Sequence, residues 1–253
     1  MVEIVISGAC GKMGRTLAAC IAERDGCKVI AGIDLFPCDT LGFPVVQTPA
    51  ALPQTPDVII DYSNPAGLEG LLQYALSVGV PLVLATTGYS EEQMGQIRQA
   101  AQQIPIFFSF NMSIGIQLLM ALSKKAAAVL GNQFDIEIIE KHHNQKIDAP
   151  SGTALMLLNA ICEETDPPKH PVYDRHSVRK KRESAEIGMH SIRGGTIVGE
   201  HEVLFAGPDE CISLKHTASS KRVFAEGSVN AAIFMAKGRK AGLYDMTHLL
   251  EEV

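Results

Sequence analysis

Val2-Glu3-Ile4-Val5-Ile6-Ser7-Gly8-Ala9-Cys10-Gly11-Lys12-Met13-Gly14 runs from a short apolar stretch into three glycines spaced G-x-x-G-x-x-G. Met13, Leu17, Cys20 and Ile21 then recur on one helical face. Strand, glycine turn and helix together open a βαβ unit. In that setting the glycines permit a tight turn, close backbone approach to a pyrophosphate, and helix–strand packing. Exposed N–H groups at the start of the helix favour an anion. The next apolar run, Lys28–Ile33, is followed by Asp34, 20 residues after Gly14, where a carboxylate meets ribose hydroxyls. The species predicted is a dinucleotide such as NAD(P). A triphosphate-binding loop is excluded, because Gly11-Lys12 is followed by Met13 and the required upstream glycine is missing.

Outward from that turn, strand-like and helix-like segments alternate. Val58–Asp61, Leu82–Ala85 and Ile106–Phe110 are apolar runs, and Leu68–Ser77 and Glu91–Gln103 carry helical patterns. Pro37, Pro44, Pro49, Pro53 and Pro56 mark a stretch read mostly as loop. This alternation predicts an α/β, Rossmann-like dinucleotide-binding domain with a parallel sheet. Ala85-Thr86-Thr87-Gly88 and Ser109-Phe110-Asn111-Met112 end two of its strands. Ligands bind outside the carboxyl ends of such strands, so both segments are candidates to line the nicotinamide end.

After Asn111 the texture changes. Ile114–Leu130 reads as a long helix, Phe134–Glu140 as a strand and Ser151–Glu164 as a helix. Ile187–Arg193, Ile197–Phe205 and Cys211–His216 read as strands, and Phe224–Lys237 returns to helix. The expected division is a dinucleotide-binding domain of residues 1–112 plus 220–253 and an α+β domain of residues 113–219 with an open mixed sheet. The last helix is expected to pack back on the first domain.

Composition narrows the functional classes. Of 253 residues, 46% are hydrophobic and 20% charged, which argues against wholesale disorder. A net charge of −6 disfavours nucleic acid and anionic membrane surfaces as partners. No apolar run approaches the ~18 residues of a membrane span. The N-terminus lacks a basic region followed by a long apolar stretch, so no targeting segment is expected. Cys10, Cys20, Cys27, Cys38, Cys162 and Cys211 form no C-x-x-C pair and no zinc spacing with histidine. They are expected to be free thiols in a reducing cytosol, and no metal site is expected.

The most concentrated polar stretch is Glu140-Lys141-His142-His143-Asn144-Gln145-Lys146-Ile147-Asp148-Ala149-Pro150-Ser151-Gly152-Thr153. It joins a strand to a helix. Two histidines and a lysine supply a proton donor and an anion binder. Backbone N–H groups at Ser151-Gly152-Thr153 and the Thr153 hydroxyl suit a carboxylate. On spacing alone the pair of histidines also fits a solvated loop. Ser151 is not in a G-x-S-x-G elbow, which argues against a serine hydrolase.

The stretch from Glu140 to Ala154 resembles the signature E-x-H-H-x-x-K-x-D-x-P-S-G-T-A of the 4-hydroxy-tetrahydrodipicolinate reductase (dihydrodipicolinate reductase) family. The resemblance extends to the glycine turn, to Ala85-Thr86-Thr87-Gly88, to Ile192-Arg193-Gly194-Gly195 through Gly199-Glu200-His201, and to Phe224-Ala225-Glu226-Gly227. It implies reduction of a cyclic dicarboxylate by NADH or NADPH, with loss of water, in the diaminopimelate route to lysine. It implies His142 as proton donor and acceptor, Lys146 as the second catalytic group, and His143, Gly152 and Thr153 as substrate-binding residues. Gly8, Ala9, Cys10, Gly11, Lys12 and Met13 would bind the cofactor, with Asp34, Ala85, Thr86, Thr87, Ser109, Phe110, Asn111 and Met112. It also implies a homotetramer joined through the substrate-domain sheets, in a bacterial cytoplasm or a plant plastid stroma. Three departures stand out. Met112 replaces a ring found in many relatives, Leu35 stands where many have arginine, and Lys221 stands where some place a cofactor-contacting arginine. With Leu35 beside Asp34, NADH is expected to be favoured.

Two rival readings are weaker. A semialdehyde dehydrogenase needs a cysteine nucleophile near a histidine, and no cysteine lies between Cys38 and Cys162. A dinucleotide-binding protein without turnover has no use for the His142, Lys146, Gly152 and Thr153 set.

Overall fold

β1 (Val2–Ser7) ends at Gly8, whose φ of 79° lies in the left-handed region that side chains resist. A Cβ at Gly8 would sit 2.6 Å from the Tyr62 carbonyl oxygen. The turn feeds α1 (Lys12–Ala22), and a Cβ at Gly14 would meet the Gly8 carbonyl oxygen at 2.2 Å. Two of the three glycines are therefore demanded by backbone crowding alone.

The computed structural model describes residues 1–252. The chain continues through β2 (Cys27–Ile33), β3 (Val45–Val46), β4 (Val58–Asp61), α2 (Leu68–Val78), β5 (Leu82–Leu84), α3 (Glu91–Ala100) and β6 (Pro105–Phe108). Next come α4 (Ile114–Leu130), β7 (Asp135–His142), α5 (Gly152–Cys162), β8 (His170–Val172), β9 (Glu186–Arg193), β10 (Gly199–Ala206) and β11 (Cys211–Ala218). It closes with α6 (Arg222–Met235), β12 (Gly242–Tyr244) and α7 (Met246–Leu250). Two compact units result, one formed by Met1–Ile114 with the chain from Lys221 onward, the other by Gly115–Ser220.

The first unit holds a seven-stranded sheet in the order β12-β6-β5-β4-β1-β2-β3, parallel throughout. One core joins Ile4, Ile6 and Phe107 to Leu17 and Ile21 of α1 and Val229 of α6. The other joins Val5, Ile59 and Leu82 to Leu71 of α2 and Ile97 of α3. Burial on both faces explains why these strands read as unbroken apolar runs rather than alternating ones.

The second unit holds a mixed five-stranded sheet in the order β11-β10-β7-β9-β8. β10 runs antiparallel to β7 and β11, while β9 runs parallel to β7 and β8. β7 and β10 alternate strictly between buried and less buried positions, as strands covered on one face do. Ile136, Ile138, Val203 and Phe205 meet Leu119 of α4 and Leu157 of α5 in its core. With the turn that follows it, α4 spans 20 residues of mean hydropathy 1.4, long and apolar enough by composition to cross a membrane. Here Ile116, Leu119 and Ala127 lie in the core and Lys124 pairs with Glu163 and Glu164. That pattern is of a helix packed on a sheet.

Several elements differ from the sequence reading. β7 continues through Lys141 and His142, so the polar stretch begins on the strand and not in a loop. β3 forms inside the proline-rich stretch, and β8, β12 and α7 were not expected. The three strands have two or three residues each, too few to show a period.

A paired substitution tests the packing of the first unit. A Cβ at Gly227 of α6 would lie 1.6 Å from the Met112 carbonyl oxygen, whereas one at Gly70 of α2 meets nothing within 4 Å. Gly227→Ala is expected to cost about 1–3 kcal/mol or more. Gly70→Ala should stabilise by about 0.5–1 kcal/mol, since glycine disfavours a helix interior. Urea denaturation of both variants checks this, and an unchanged midpoint for Gly227→Ala would refute the packing.

Candidate active site

In the first unit, the turn after β1 and the end of β2 converge. Gly11 is the N-cap of α1 and offers no side-chain hydrogen bond, so the first N–H groups of the helix are left to an outside acceptor. Asp34 lies beside them. Its Oδ2 accepts from the Cys10 N–H at 2.9 Å and its Oδ1 from the Phe36 N–H at 3.1 Å. Gly8, Gly11, Asp34, Leu35, Tyr62 and Asn64 help to line a cavity of about 520 Å³.

The expectation of six free thiols is corrected here. Cys10 and Cys38 form a disulfide, with Cα atoms 6.2 Å apart, leaving Cys20, Cys27, Cys162 and Cys211 free. The turn and the loop after β2 meet only in the folded chain, and no sequence spacing announces such a contact. Arg15 ties the same two segments. Its Nε donates to the Cys10 carbonyl at 3.1 Å, and its Nη1 to Thr40 Oγ1 at 2.9 Å. Its Nη2 donates to Cys38 Sγ at 3.6 Å. Lys12 is exposed at the mouth of the turn.

Ala85-Thr86-Thr87 follows β5, and Ser109-Phe110-Asn111-Met112 follows β6, both at the carboxyl edge of the sheet. Thr86 is organised by a residue that the sequence reading treated only as a strand end. Asp61, 1% exposed, accepts from Thr86 Oγ1 at 2.6 Å, Ser63 Oγ at 2.6 Å and Tyr89 OH at 3.2 Å. Burial, reinforced by that carboxylate, pushes the Tyr89 hydroxyl far above its usual pKa. Ser109 Oγ donates to the Asn111 carbonyl at 2.8 Å, while Asn111 Oδ1 accepts from the Ser113 N–H at 2.9 Å. Phe110 is exposed and packs edge-on against Phe108. The Met112 side chain is buried in the core, so only its backbone is placed to face a ligand.

In the second unit, the polar stretch is built on the end of β7. Ile136, Ile138, Glu140 and His142 share the buried face of that strand. The Glu140 carboxylate, 1% exposed, meets four donor atoms from three neighbours. Arg193 binds it through both terminal nitrogens at 2.8 and 2.7 Å. The Ser151 N–H donates at 3.1 Å, and His142 Nδ1 lies 2.5 Å from Oε2. Burial raises the Glu140 pKa, but the hydrogen bonds from Arg193, His142 and Ser191 outweigh it and hold the carboxyl at about 2. Burial lowers the pKa of His142, Glu140 opposes this, and the balance stays below the ordinary imidazole value. An ionised Glu140 can only accept, so Nδ1 carries the hydrogen that it donates to that carboxylate.

His201 stacks edge-on against His142 at 5.1 Å between ring centroids and bonds Ser151 Oγ through Nε2 at 3.0 Å. Burial pushes its pKa down to about 4. Ser151 Oγ also caps α5 by accepting the Ala154 N–H at 3.2 Å. A Cβ at Gly199 would come within 3.2 Å of His142 Nε2, so the missing side chain leaves room at that nitrogen. Lys146 pairs with Asp148 at 2.8 Å. That ammonium, together with a hydrogen bond from the Gly152 backbone, holds the Asp148 carboxyl below its usual range. Lys146 and the N-terminus of α5, which carries Gly152 and Thr153, thus already face a carboxylate. His143 begins the loop, with the Lys146 N–H donating to its carbonyl at 3.2 Å. Sequence reasoning singled out His142, Lys146 and the start of α5, which lie in the one segment from β7 into α5. It missed the roles of Glu140, Arg193, His201 and Asp61. Among the described residues, no cluster of three or more potential metal ligands occurs.

Comparison with known proteins covers nearly the whole chain. Residues 2–112 match the family model for the dihydrodipicolinate reductase N-terminus, and residues 115–250 that for its C-terminus. The 4-hydroxy-tetrahydrodipicolinate reductase of Clostridium novyi (strain NT) is 45% identical over 251 residues, 99% of each chain. That of Caldanaerobacter subterraneus subsp. tengcongensis is 45% identical over 254 residues, 100% of this chain and 99% of its own. Among solved structures, a dipicolinate-bound dihydrodipicolinate reductase from Paenisporosarcina sp. TG-14 superposes with a TM-score of 0.80. It is 27% identical, with 97% of each chain covered. A myo-inositol dehydrogenase from Corynebacterium glutamicum shares the fold alone, at 14% identity over 92% of this chain and 87% of its own, with a TM-score of 0.58.

Thiol titration checks the corrected cysteine assignment. Protein denatured without reductant is expected to expose four reactive thiols, and all six after reduction. Six thiols before reduction would contradict the Cys10–Cys38 bond.

Proposed function

The chain belongs to the dihydrodipicolinate reductase family, and on that premise we propose how its residues divide the reaction. The reaction is reduction of 4-hydroxy-tetrahydrodipicolinate to tetrahydrodipicolinate by NAD(P)H, in which one hydride and one proton are taken up and one water is released. The observation that carries the reading is the His142 imidazole, anchored through Nδ1 on a buried carboxylate in the same segment as donors that already hold a carboxylate. Asp148 shows what Lys146 and the α5 N-terminus accept, and a dicarboxylate substrate presents the same group. The dipicolinate bound to the Paenisporosarcina relative is a small dicarboxylate of that kind.

In this reading His142 gives and takes a proton at Nε2, since Nδ1 is committed to Glu140. Lys146 is the second proton donor and, as an ammonium, an anchor for substrate charge. His143, Gly152 and Thr153 hold a substrate carboxylate through the imidazole and the N-terminus of α5.

The turn suits a dinucleotide because Gly8 and Gly14 let strand, turn and helix close up without a side chain in the way, and Gly11, the N-cap of α1, lets a pyrophosphate approach bare backbone. Gly8, Ala9, Cys10, Gly11, Lys12 and Met13 would take the pyrophosphate, and Asp34 the adenosine ribose. Ala85, Thr86, Thr87, Ser109, Phe110, Asn111 and Met112 would line the nicotinamide end, Met112 by its backbone. When bound, the cofactor supplies the hydride. The assembly is a homotetramer in this reading, which light scattering of the purified chain tests.

Three measurements follow. His142→Ala and Lys146→Ala should each lower kcat by roughly 10²–10⁴ while leaving NADH affinity nearly unchanged. Full kcat in both variants would remove these roles. NADH should be favoured over NADPH by roughly tenfold in kcat/KM, about 1.4 kcal/mol, because Asp34 repels a 2′-phosphate and Leu35 supplies no cation. Leu35→Arg should narrow or reverse that gap. A wild-type enzyme that prefers NADPH would refute the assignment of Asp34 as the discriminating group.

A further inference from the structure

We propose that Glu140, clamped by Arg193, is the positioning residue for His142. Its carboxylate fixes the ring's tautomer and orientation and keeps Nε2 basic enough to carry a proton. This rests on the reading of His142 as proton donor and acceptor.

The sheet register brings the group together. Glu140 lies opposite Ser191 of β9 and His201 of β10, and His142 lies opposite Arg193. The buried face of β7 runs Ile136, Ile138, Glu140, His142, so a carboxylate occupies what the period reserves for an apolar side chain. Burying an ion there is costly unless donors surround it. Arg193, the Ser151 N–H and His142 Nδ1 provide them.

The arrangement has a chemical consequence. Glu140 is ionised through its several donors and can only accept, so the hydrogen in its 2.5 Å contact with His142 stays on Nδ1. Nε2 is then the nitrogen that takes up and releases a proton, in the space left by the missing side chain of Gly199. The groups that face His142 are Glu140 on its own strand, Arg193 on β9, His201 on β10 and Lys146 in the following loop. Among these, Glu140 alone raises the affinity of the ring for a proton, while burial, Lys146 and Arg193 lower it. Glu140 therefore sets the upper pH at which His142 still holds the proton it must donate.

The sign of the effect separates tuning from simple support. Removing the Glu140 charge should lower the His142 pKa, so the alkaline limb of the kcat profile should move to lower pH. Removing the Arg193 charge should raise the His142 pKa and move that limb to higher pH. The test is made on the full chain with NADH and 4-hydroxy-tetrahydrodipicolinate. Glu140→Gln is expected to lower kcat at pH 7 at least about tenfold and to shift the limb down by about one pH unit or more. The KM for NADH should not change. Glu140→Asp should return the limb toward the wild-type position, and Arg193→Gln should shift it upward. Proton NMR titration of the His142 ring in each variant reads the same shifts without turnover.

A limb and a ring titration that stay in place in Glu140→Gln would overturn the proposal, as would shifts of the same sign in Glu140→Gln and Arg193→Gln. Where Glu140→Gln fails to fold, Glu140→Asp and Arg193→Gln carry the test. His142→Ala separates the two levels. Full activity in that variant removes the underlying reading, whereas an inactive His142→Ala beside an unmoved limb in Glu140→Gln removes the positioning role alone.

Discussion

A carboxylate withdrawn from water must collect donors, and in this chain that requirement twice fixes where polar residues stand. Glu140 gathers a guanidinium from β9, an imidazole from its own strand and the backbone N–H that precedes α5. Asp61 gathers two hydroxyls and a phenol from the segments around the ends of β4 and β5. Each lies within a sheet, where the strand register decides which residues become its neighbours. The energetic asymmetry of buried charge then makes the arrangement cooperative. A complete set of partners roughly offsets desolvation, whereas losing one leaves an ion with unmet demand, at a cost of about 3–5 kcal/mol. Groups bound in this way do not wander, so His142 and Thr86 are held by the same physics that makes their carboxylate partners tolerable.

Much of the first unit was legible because its determinants are local. Gly8 is demanded by its own left-handed φ and Gly14 by the backbone of Gly8 and Ala9 a few residues away, and parallel strands buried on both faces announce themselves as apolar runs. The second unit was legible where its strands alternate, as β7 and β10 do. Elements without a period were not. β3 owes its existence to backbone bonds from Gly32 and Asp34 to Pro44 and Val46, a contact of two segments rather than a property of either. α7 has only five residues, and its capping box joins Asp245 to His248 rather than to the glutamate or glutamine that normally signals one. The Cys10–Cys38 bond belongs to the same class, since it reports a tertiary meeting that no residue spacing encodes.

The candidate site divides along the same line. Residues named by a signature, such as His142, Lys146 and Gly152, could be found without knowing what they touch. The residues that act on them could not. Glu140 was inside the quoted stretch, yet its meaning depends on β7 extending two residues past it, which turns it from the last residue of the expected strand into a core position. The available signal was the break in the sequence Ile136, Ile138, Glu140, where a charge follows two buried isoleucines at the strand period. Arg193 lies 53 residues away and His201 61, separations at which only the sheet register brings side chains into contact.

The same reasoning locates cofactor discrimination in the first unit. The turn and the loop after β2 are joined three times, by the Cys10 N–H on Asp34, by the disulfide and by Arg15. These links hold the carboxylate at the cavity before any ligand arrives, which lowers the ordering cost of binding. They also occupy an arginine that bridges the turn and the loop. Arg15 already serves the Cys10 carbonyl, Thr40 and Cys38, so turning it toward a 2′-phosphate would forfeit those bonds. An arginine at position 35 would carry no such obligation, because Leu35 is 73% exposed beside Asp34. In the proposed reading, discrimination between the two cofactors thus depends on more than the presence of Asp34. On that reading it depends on whether the cations near that carboxylate are free to answer a phosphate, and Arg15 is already engaged in holding the loop in place.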